Sequence, residues 1–232
     1  MAAGLMVPLM SGCQPPAPTA EDGTEGEDPD SPAVEEAPAQ PAADPEGWIE
    51  CKPAGDAKWE LVGVEEGGWD EEDGMLRIPW YDGLAGARWT GQVPEAPFEV
   101  ELEAQRTDGS DFFCGLTVPT RSTDECVTLI VGGWGGSIVG ISSINDLDAS
   151  ENQSALDMRF EDKQWYKIRL RFAAEQLLVW IDDKEIIDVD TTGLRLSLRA
   201  GPIDMCAPFG VASWQTSSEL RSIRWRRLSV DE

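Results

Sequence analysis

The chain is 232 residues long and carries 44 acidic against 18 basic residues, a net charge of −26. A field of that sign repels phosphate backbones, so nucleic acid is excluded as a partner. There is no histidine, which removes His-based triads, HExxH metalloproteases and imidazole switches, and no run of 18 or more apolar residues that would form a spanning helix.

Composition changes near Gly47. Residues 1–46 hold ten acids, no Lys or Arg, and nine of the 16 prolines, leaving the rest of the chain at a net charge of −16. The short apolar stretch Met1 to Met10 runs into Ser11-Gly12-Cys13. Small residues before a cysteine look like a bacterial lipoprotein signal over residues 1–13, with Cys13 as the lipidated first residue of the mature chain. The expectation is an exported lipoprotein, in the periplasm or at the cell surface, that touches the membrane through its anchor alone. Residues 14–46 contain one aliphatic side chain larger than Ala, Val34. Such a stretch buries too little surface to offset chain entropy, so it is expected to be a disordered acidic, Pro-rich linker. Proline and like charge both extend it.

Residues 47–232 read as strand, turn, strand. Phe98, Val100, Leu102 and Ala104 alternate with Glu99, Glu101, Glu103 and Gln105, the period of a half-buried strand with a carboxylate-rich outer face. Cys114 to Val118 and Cys126 to Val131 predict a hairpin around a loop from Pro119 to Asp124. Gly132-Gly133-Trp134-Gly135-Gly136 cannot be a regular strand, so Trp134 either plugs the end of the fold or stacks on a sugar face. Tyr166, Ile168, Leu170 and Phe172 alternate with Trp165, Lys167, Arg169 and Arg171, and a meander continues through Leu178 to Ile181, an Asp182-Asp183 turn, and Ile186 to Val189. Phe209 to Trp214 and Ser222 to Leu228 supply two late strands. About a dozen short strands with regular turns and no long helical period argue an all-β fold, a two-sheet antiparallel β-sandwich or jelly roll. Trp165 or Trp180, and Trp225, are expected in its core. A single such domain is expected to be a monomer.

Several clusters could carry chemistry. Glu99, Glu101 and Glu103 share one strand face. Neighbouring members are about 6.5–7 Å apart, a separation compatible with glycosidase acid–base pairs. The same face could instead be paired across strands with Lys167, Arg169 and Arg171. Arg221, Arg224, Arg226 and Arg227 form a basic cluster, most simply a counterion to the carboxylate strands. Asp146, Asp148 and Glu151 offer hard oxygen ligands for calcium or another divalent metal, although the spacing is not that of an EF-hand. Asn145 and Asn152 in the same loop, with Trp134 and Trp214, are candidate sugar contacts. Cys51, Cys114, Cys126 and Cys206 form an even set, which in an exported domain suggests disulfides. A hairpin centred on Thr120 would set Cys114 against Cys126 and leave Cys51 with Cys206; four reduced, buried thiols are the alternative.

Phe98 to Glu103 followed by Asp111 to Val118 resembles the strand pair of the 3-keto-disaccharide hydrolase domain family. Gln164 to Phe172 with Leu178 to Asp188 is similar to its hairpin, and Phe209 to Trp214 with Leu220 to Leu228 to its closing strand. Gly132 to Gly136, Asp148 to Asn152 and Trp214-Gln215-Thr216 are similar to a branch common in planctomycete-like bacteria. The resemblance covers roughly residues 59–229. It implies a concanavalin-like jelly roll and cleavage of the glycosidic bond in sugars oxidised at C3. That chemistry needs a base for the C2 proton, a stabiliser for the enolate, and an acid for the departing oxygen. Without histidine, the base must be Asp, Glu, Lys or Tyr. A non-catalytic carbohydrate-binding or cell-envelope interaction module is the alternative.

Overall fold

The computed structural model describes residues 47–229. The predicted signal over 1–13, the linker over 14–46 and the lipidation site Cys13 lie outside the described residues. Fifteen strands are present among the described residues: β1 (Ile49–Glu50), β2 (Trp59–Val62), β3 (Gly68–Asp70), β4 (Met75–Ile78), β5 (Leu84–Trp89), β6 (Phe98–Gly109), β7 (Cys114–Ser122), β8 (Glu125–Gly132), β9 (Ile138–Ser142), β10 (Leu156–Asp157), β11 (Tyr166–Ala173), β12 (Gln176–Ile181), β13 (Lys184–Asp190), β14 (Gly210–Trp214) and β15 (Thr216–Arg227). A 3-10 turn at Pro202–Cys206 precedes β14.

The strands form two antiparallel sheets. One runs β13-β12-β11-β6-β15-β4-β3, with β1 also paired to β15; the other runs β10-β9-β8-β7-β14-β5-β2. This is the predicted two-sheet β-sandwich of jelly-roll type. The period-2 alternation decides which side of each strand enters the core. Tyr166, Ile168, Leu170 and Phe172 of β11 point inward, as do Phe98, Val100, Leu102 and Ala104 of β6. They meet Leu116 and Val118 of β7, Val127, Leu129 and Val131 of β8, and Val211 of β14 in one continuous core. Aromatic contacts finish it at both ends: Trp59 and Trp89 at 5.1 Å between ring centres, and Phe160 edge-on to Tyr166 at 5.0 Å.

Trp225 is buried as expected. Trp165 and Trp180 are not core residues. They lie on the outer face of the first sheet, with Arg221 4.1 Å from the Trp165 ring centre and Arg169 4.2 Å from that of Trp180. Trp180 is an outward-facing member of β12 and Trp165 directly precedes β11, so both follow the parity of Lys167 and Arg169 rather than their own hydrophobicity.

The β7–β8 hairpin differs from expectation in register. Pro119 and Thr120 stay inside β7, and the turn falls at Thr123–Asp124, so Cys114 pairs with Val131 and Cys126 with Pro119. Cys114 points into the core and Cys126 to the opposite face. Cys51, Cys114, Cys126 and Cys206 are all buried free thiols, so the expected Cys114–Cys126 and Cys51–Cys206 bridges are absent. Burial pushes the Cys114 thiol up to about 12 and drives Cys51 well above the ordinary thiol range, with help from Glu50. Burial also lifts Cys206 to about 12, against a small opposing effect of Arg88.

Candidate functional site

The two outer faces of the sandwich are chemically unlike. On the β6 side, Glu99, Glu101 and Glu103 stand in register with Arg171, Arg169 and Lys167 of β11 on one flank and with Arg226, Arg224 and Arg221 of β15 on the other. Glu99 is fully buried and accepts from Arg171 at 2.9 Å and Arg226 at 2.9 Å, with Arg169 at 3.8 Å. Glu101 holds Arg224 at 2.7 Å and Lys167 at 3.1 Å. Glu103 holds Arg221 at 2.9 Å. Burial pushes the Glu101 carboxyl up, but the Arg224 and Lys167 hydrogen bonds outweigh it and hold the group below the ordinary carboxylate range. Trp48 covers the ladder, 4.6 Å from Arg224 and 4.7 Å from Arg226. These three glutamates were candidates for acid–base catalysis. The structure gives them to an ion-pair lattice in which Glu99 and Glu101 are buried and Glu103 is partly exposed.

The other outer face carries the cleft. Alternation puts Gly140 and Ser142 of β9, Thr128 and Ile130 of β8, Gly115 and Thr117 of β7, Gly210, Ala212 and Trp214 of β14, and Leu84 and Gly86 of β5 on this side. Two segments lie directly on it. A Cβ on Gly140 would meet the Ala149 carbonyl oxygen at 2.5 Å, and one on Gly210 would meet that of Cys206 at 2.5 Å. Glycine is what lets both segments touch the sheet. Between them remains a cleft of about 390 Å³, with Trp134, Trp214, Asp111, Thr128, Ser142 and Arg199 among its lining residues.

Trp134 and Trp214, both proposed from sequence, are brought together here. Trp134 is 42% exposed and Trp214 36%, so Trp134 does not plug the sandwich. Its backbone is left-handed, φ 49° and ψ 53°. The loop is held by Asp111, whose carboxylate accepts from the Gly135 N–H at 3.2 Å and from the Phe112 N–H at 2.8 Å. Arg199 lies 5.9 Å from the Trp134 ring centre. Thr117 and Thr128 hydroxyls share a hydrogen bond of 2.9 Å beneath the floor.

Apart from Glu151, the 145–152 loop residues proposed for metal or sugar are engaged within the fold. Asp146 is ion-paired with Arg195, Asp148 pairs with Arg199 at 3.4 Å, and Glu151 is exposed. Among the described residues no group of three or more Cys, Asp or Glu side chains is placed to hold a metal ion. Asn152 is consumed structurally: its amide donates to the Ile141, Leu147 and Asp148 carbonyls, and its oxygen accepts from the Ser154 N–H. Asn145 is fastened to Arg195, accepting that residue's N–H at 2.9 Å. Neither lines the cleft. Asp148 instead tethers the arginine behind Trp134.

Sequence reasoning missed Asp111, Phe112, Thr128, Ser142 and Arg199. Thr128 and Ser142 carry no local signal, since hydroxyl side chains on an outer strand face are common. Asp111 directly before two phenylalanines at a strand start was the legible clue.

Fold and cleft together define a jelly-roll sandwich with an aromatic-walled groove on one sheet. No family model matches the chain and no curated protein matches it, so the likeness to 3-keto-disaccharide hydrolases rests on the quoted motifs. Solved structures share the fold. The Crh5 transglycosylase in complex with NAG matches at 10% identity and TM-score 0.52 over 78% of this chain and 83% of that one. The apo Crh5 transglycosylase matches at 10% identity and TM-score 0.51 over 78% and 84%. Carbohydrate binding module CBM66 from Bacillus subtilis is also similar, at 14% identity and TM-score 0.45 over 78% and 95%.

Proposed function

We propose that this domain binds carbohydrate in the cleft between Trp134 and Trp214 and does not cleave it. The observation that carries the reading is the pair of exposed indoles on one groove. Leaving such rings in water forgoes burial, and a pyranose supplies an apolar face to stack on them and hydroxyls for the polar groups between. Thr128, Ser142 and Arg199 are polar residues of the groove lining, with Arg199 the most exposed of the three. The solved structures that share the fold include a transglycosylase bound to NAG, so a sugar is among the ligands this fold accommodates.

Against catalysis stands the supply of acids. Asp111 is the one carboxylate lining the cleft among the described residues, and its two oxygens are spent on backbone N–H groups. Cleavage of 3-keto-glycosides needs a base and an acid, and this wall offers one carboxylate already engaged. The reading extends to export and to a lipid anchor on Cys13, supported by the apolar stretch before Ser11-Gly12-Cys13 and the acidic segment after it.

The test is a glycan array probed with the full chain, followed by titration of the hits against Trp fluorescence, alongside a 3-keto-glucoside turnover assay. Saturable quenching without released aglycone is expected. Aglycone release that Asp111→Asn abolishes would replace the binding reading with the hydrolase one.

A further inference from the structure

Four loops meet at one end of the seven-stranded sheet, and each carries an aromatic residue. In strand order these are Trp134 between β8 and β9, Phe112 before β7, Trp214 at the end of β14, and Trp80-Tyr81 before β5. Trp214 pairs with Leu84 at the start of β5, and its N–H donates to the Phe112 carbonyl at 3.1 Å. The Trp80-Tyr81 loop is fixed to the same corner. The Gln215 N–H donates to the Gly83 carbonyl at 3.0 Å, and the Gln215 amide to Asp82 at 2.9 Å. The Tyr81 ring lies over Gly83, within 3.4 Å of where a Cβ would be.

Trp80 and Tyr81 are the unexplained members of this row. Trp80 is 53% exposed and Tyr81 45%, although Leu84, three residues on from Tyr81, already lines the cleft. From β8 to β5 is three strand spacings, about 14 Å, a span longer than a single sugar ring. Charge selects among glycans. The only base lining the cleft among the described residues is Arg199, and Asp148 pairs with it. Asp82 and Asp111 flank the row, and the chain carries −26. Anionic polysaccharides meet repulsion here.

We infer, resting on the carbohydrate reading above, that Trp80 and Tyr81 form an outer stacking platform continuing the Trp134–Trp214 cleft, and that the ligand is an extended, uncharged, β-linked glucan chain. Such a chain presents successive flat apolar ring faces with its hydroxyls at the edge, which is what a row of exposed rings on a sheet end accepts. The cleft of about 390 Å³ is assigned to the disaccharide, and longer chains gain the platform.

The test is calorimetric titration of the full chain with cello-oligosaccharides from disaccharide to hexasaccharide, with oligogalacturonides as charged comparators. Affinity should rise with length by about tenfold, the worth of an aromatic contact of about 1.4 kcal/mol. The Trp80→Ala/Tyr81→Ala double variant should lose that rise and keep the disaccharide affinity, while Trp134→Ala weakens every length. Affinity independent of length, a rise that survives the double variant, or tighter binding of oligogalacturonides overturns the inference. A wild-type chain that takes other glycans on the array but no cello-oligosaccharide overturns it too, and leaves the carbohydrate reading standing. A chain that takes no glycan at all overturns both.

Discussion

Arg221 and Arg224 are three residues apart on β15, yet both reach the same face of the sheet and bond Glu103 and Glu101, which are two apart on β6. Strict alternation would put residues three apart on opposite faces. The register shifts between them, and Ser222 sits in the left-handed region at φ 53°. One extra residue on β15 restores parity, so Arg221, Arg224 and Arg226 all face outward while Leu220, Ile223 and Trp225 all face inward. A left-handed backbone costs a non-glycine residue roughly 1 kcal/mol. Ser222→Gly should therefore be neutral or stabilising by up to about 1 kcal/mol. Ser222→Val, whose branched side chain resists that region, should destabilise. Urea denaturation of the two variants checks the pair, and a reversed order would refute the bulge.

Glu99 is the hub of the ladder, with a side chain 1% exposed and three arginines around it. Glu99→Ala leaves Arg171 and Arg226 without their acceptor, and breaking a buried pair of this kind costs about 3–5 kcal/mol. Taking the lower figure, Tm should fall by about 6–12 °C. Glu103→Ala, at a side chain 32% exposed with one arginine, should cost about 1 kcal/mol or less. Calorimetric melts of both variants give the contrast. Equal effects would mean that the lattice is not centred on Glu99. Glycan affinity should be unchanged in Glu103→Ala, because the ladder lies on the face opposite the cleft.

The Glu101 carboxyl is held below its ordinary 4.5. A depressed folded pKa contributes stability that is fully present above the unfolded value and lost as pH falls through the folded one. Wild-type Tm should therefore decline as pH drops below 4.5, and Glu101→Gln should show a shallower decline over that window while being less stable at neutral pH. Parallel acid limbs for the two proteins would show that Glu101 carries no share of the acid sensitivity.

Much of this architecture can be read from alternation, and less of the site. The β6 and β11 strands and the β11–β12–β13 meander follow directly from side-chain parity, and the Asp182-Asp183 turn is present with both residues at positive φ. Parity also says that Glu99, Glu101 and Glu103 share a face. It is silent on which of the two outer faces that is, and this decides between a catalytic wall and a counterion ladder. Trp134 was legible because glycines on both sides forbid an ordinary strand. The 145–152 loop reads two ways because its oxygens suit a cation and equally suit Arg195 and Arg199, which follow some 50 residues later and pair with Asp146 and Asp148. Ser222 gave no warning of a bulge, since neither glycine nor asparagine marks it. Pro79-Trp80-Tyr81-Asp82-Gly83 did carry a signal: two aromatics between turn-forming residues, where no strand can bury them.

The thiols give a direct check on the register of β7 and β8. With Cys114 opposite Val131 and Cys126 opposite Pro119, the two sulfurs cannot bridge. Burial, aided by Asp124 and Glu125, raises Cys126 to about 11, so the thiolate that would react is scarce at neutral pH. In the native protein Cys51, Cys114, Cys126 and Cys206 should react slowly with a disulfide reagent, and in denaturant without reductant all four should titrate. Cys114 and Cys126 missing together in denaturant would mean that they are bridged and the hairpin register is different.

Gly210 ties the fold to the cleft. A Cβ there would stand 2.5 Å from the Cys206 carbonyl oxygen and 2.7 Å from that of Ala87, both backbone atoms that cannot rotate away. Cys206 closes the turn that begins at Pro202, and Gly201, Pro202 and Ile203 line the cleft. Gly210→Ala should therefore push that turn off the sheet, costing about 1–3 kcal/mol in overpacking and weakening glycan binding together. Trp134→Ala removes an exposed ring, so its stability should stay within about 0.5 kcal/mol of wild type while affinity falls about tenfold. Denaturation and titration measured on the same two variants separate the effects. Stability lost in Gly210→Ala with binding intact would show that the 201–206 segment is not a wall of the ligand site.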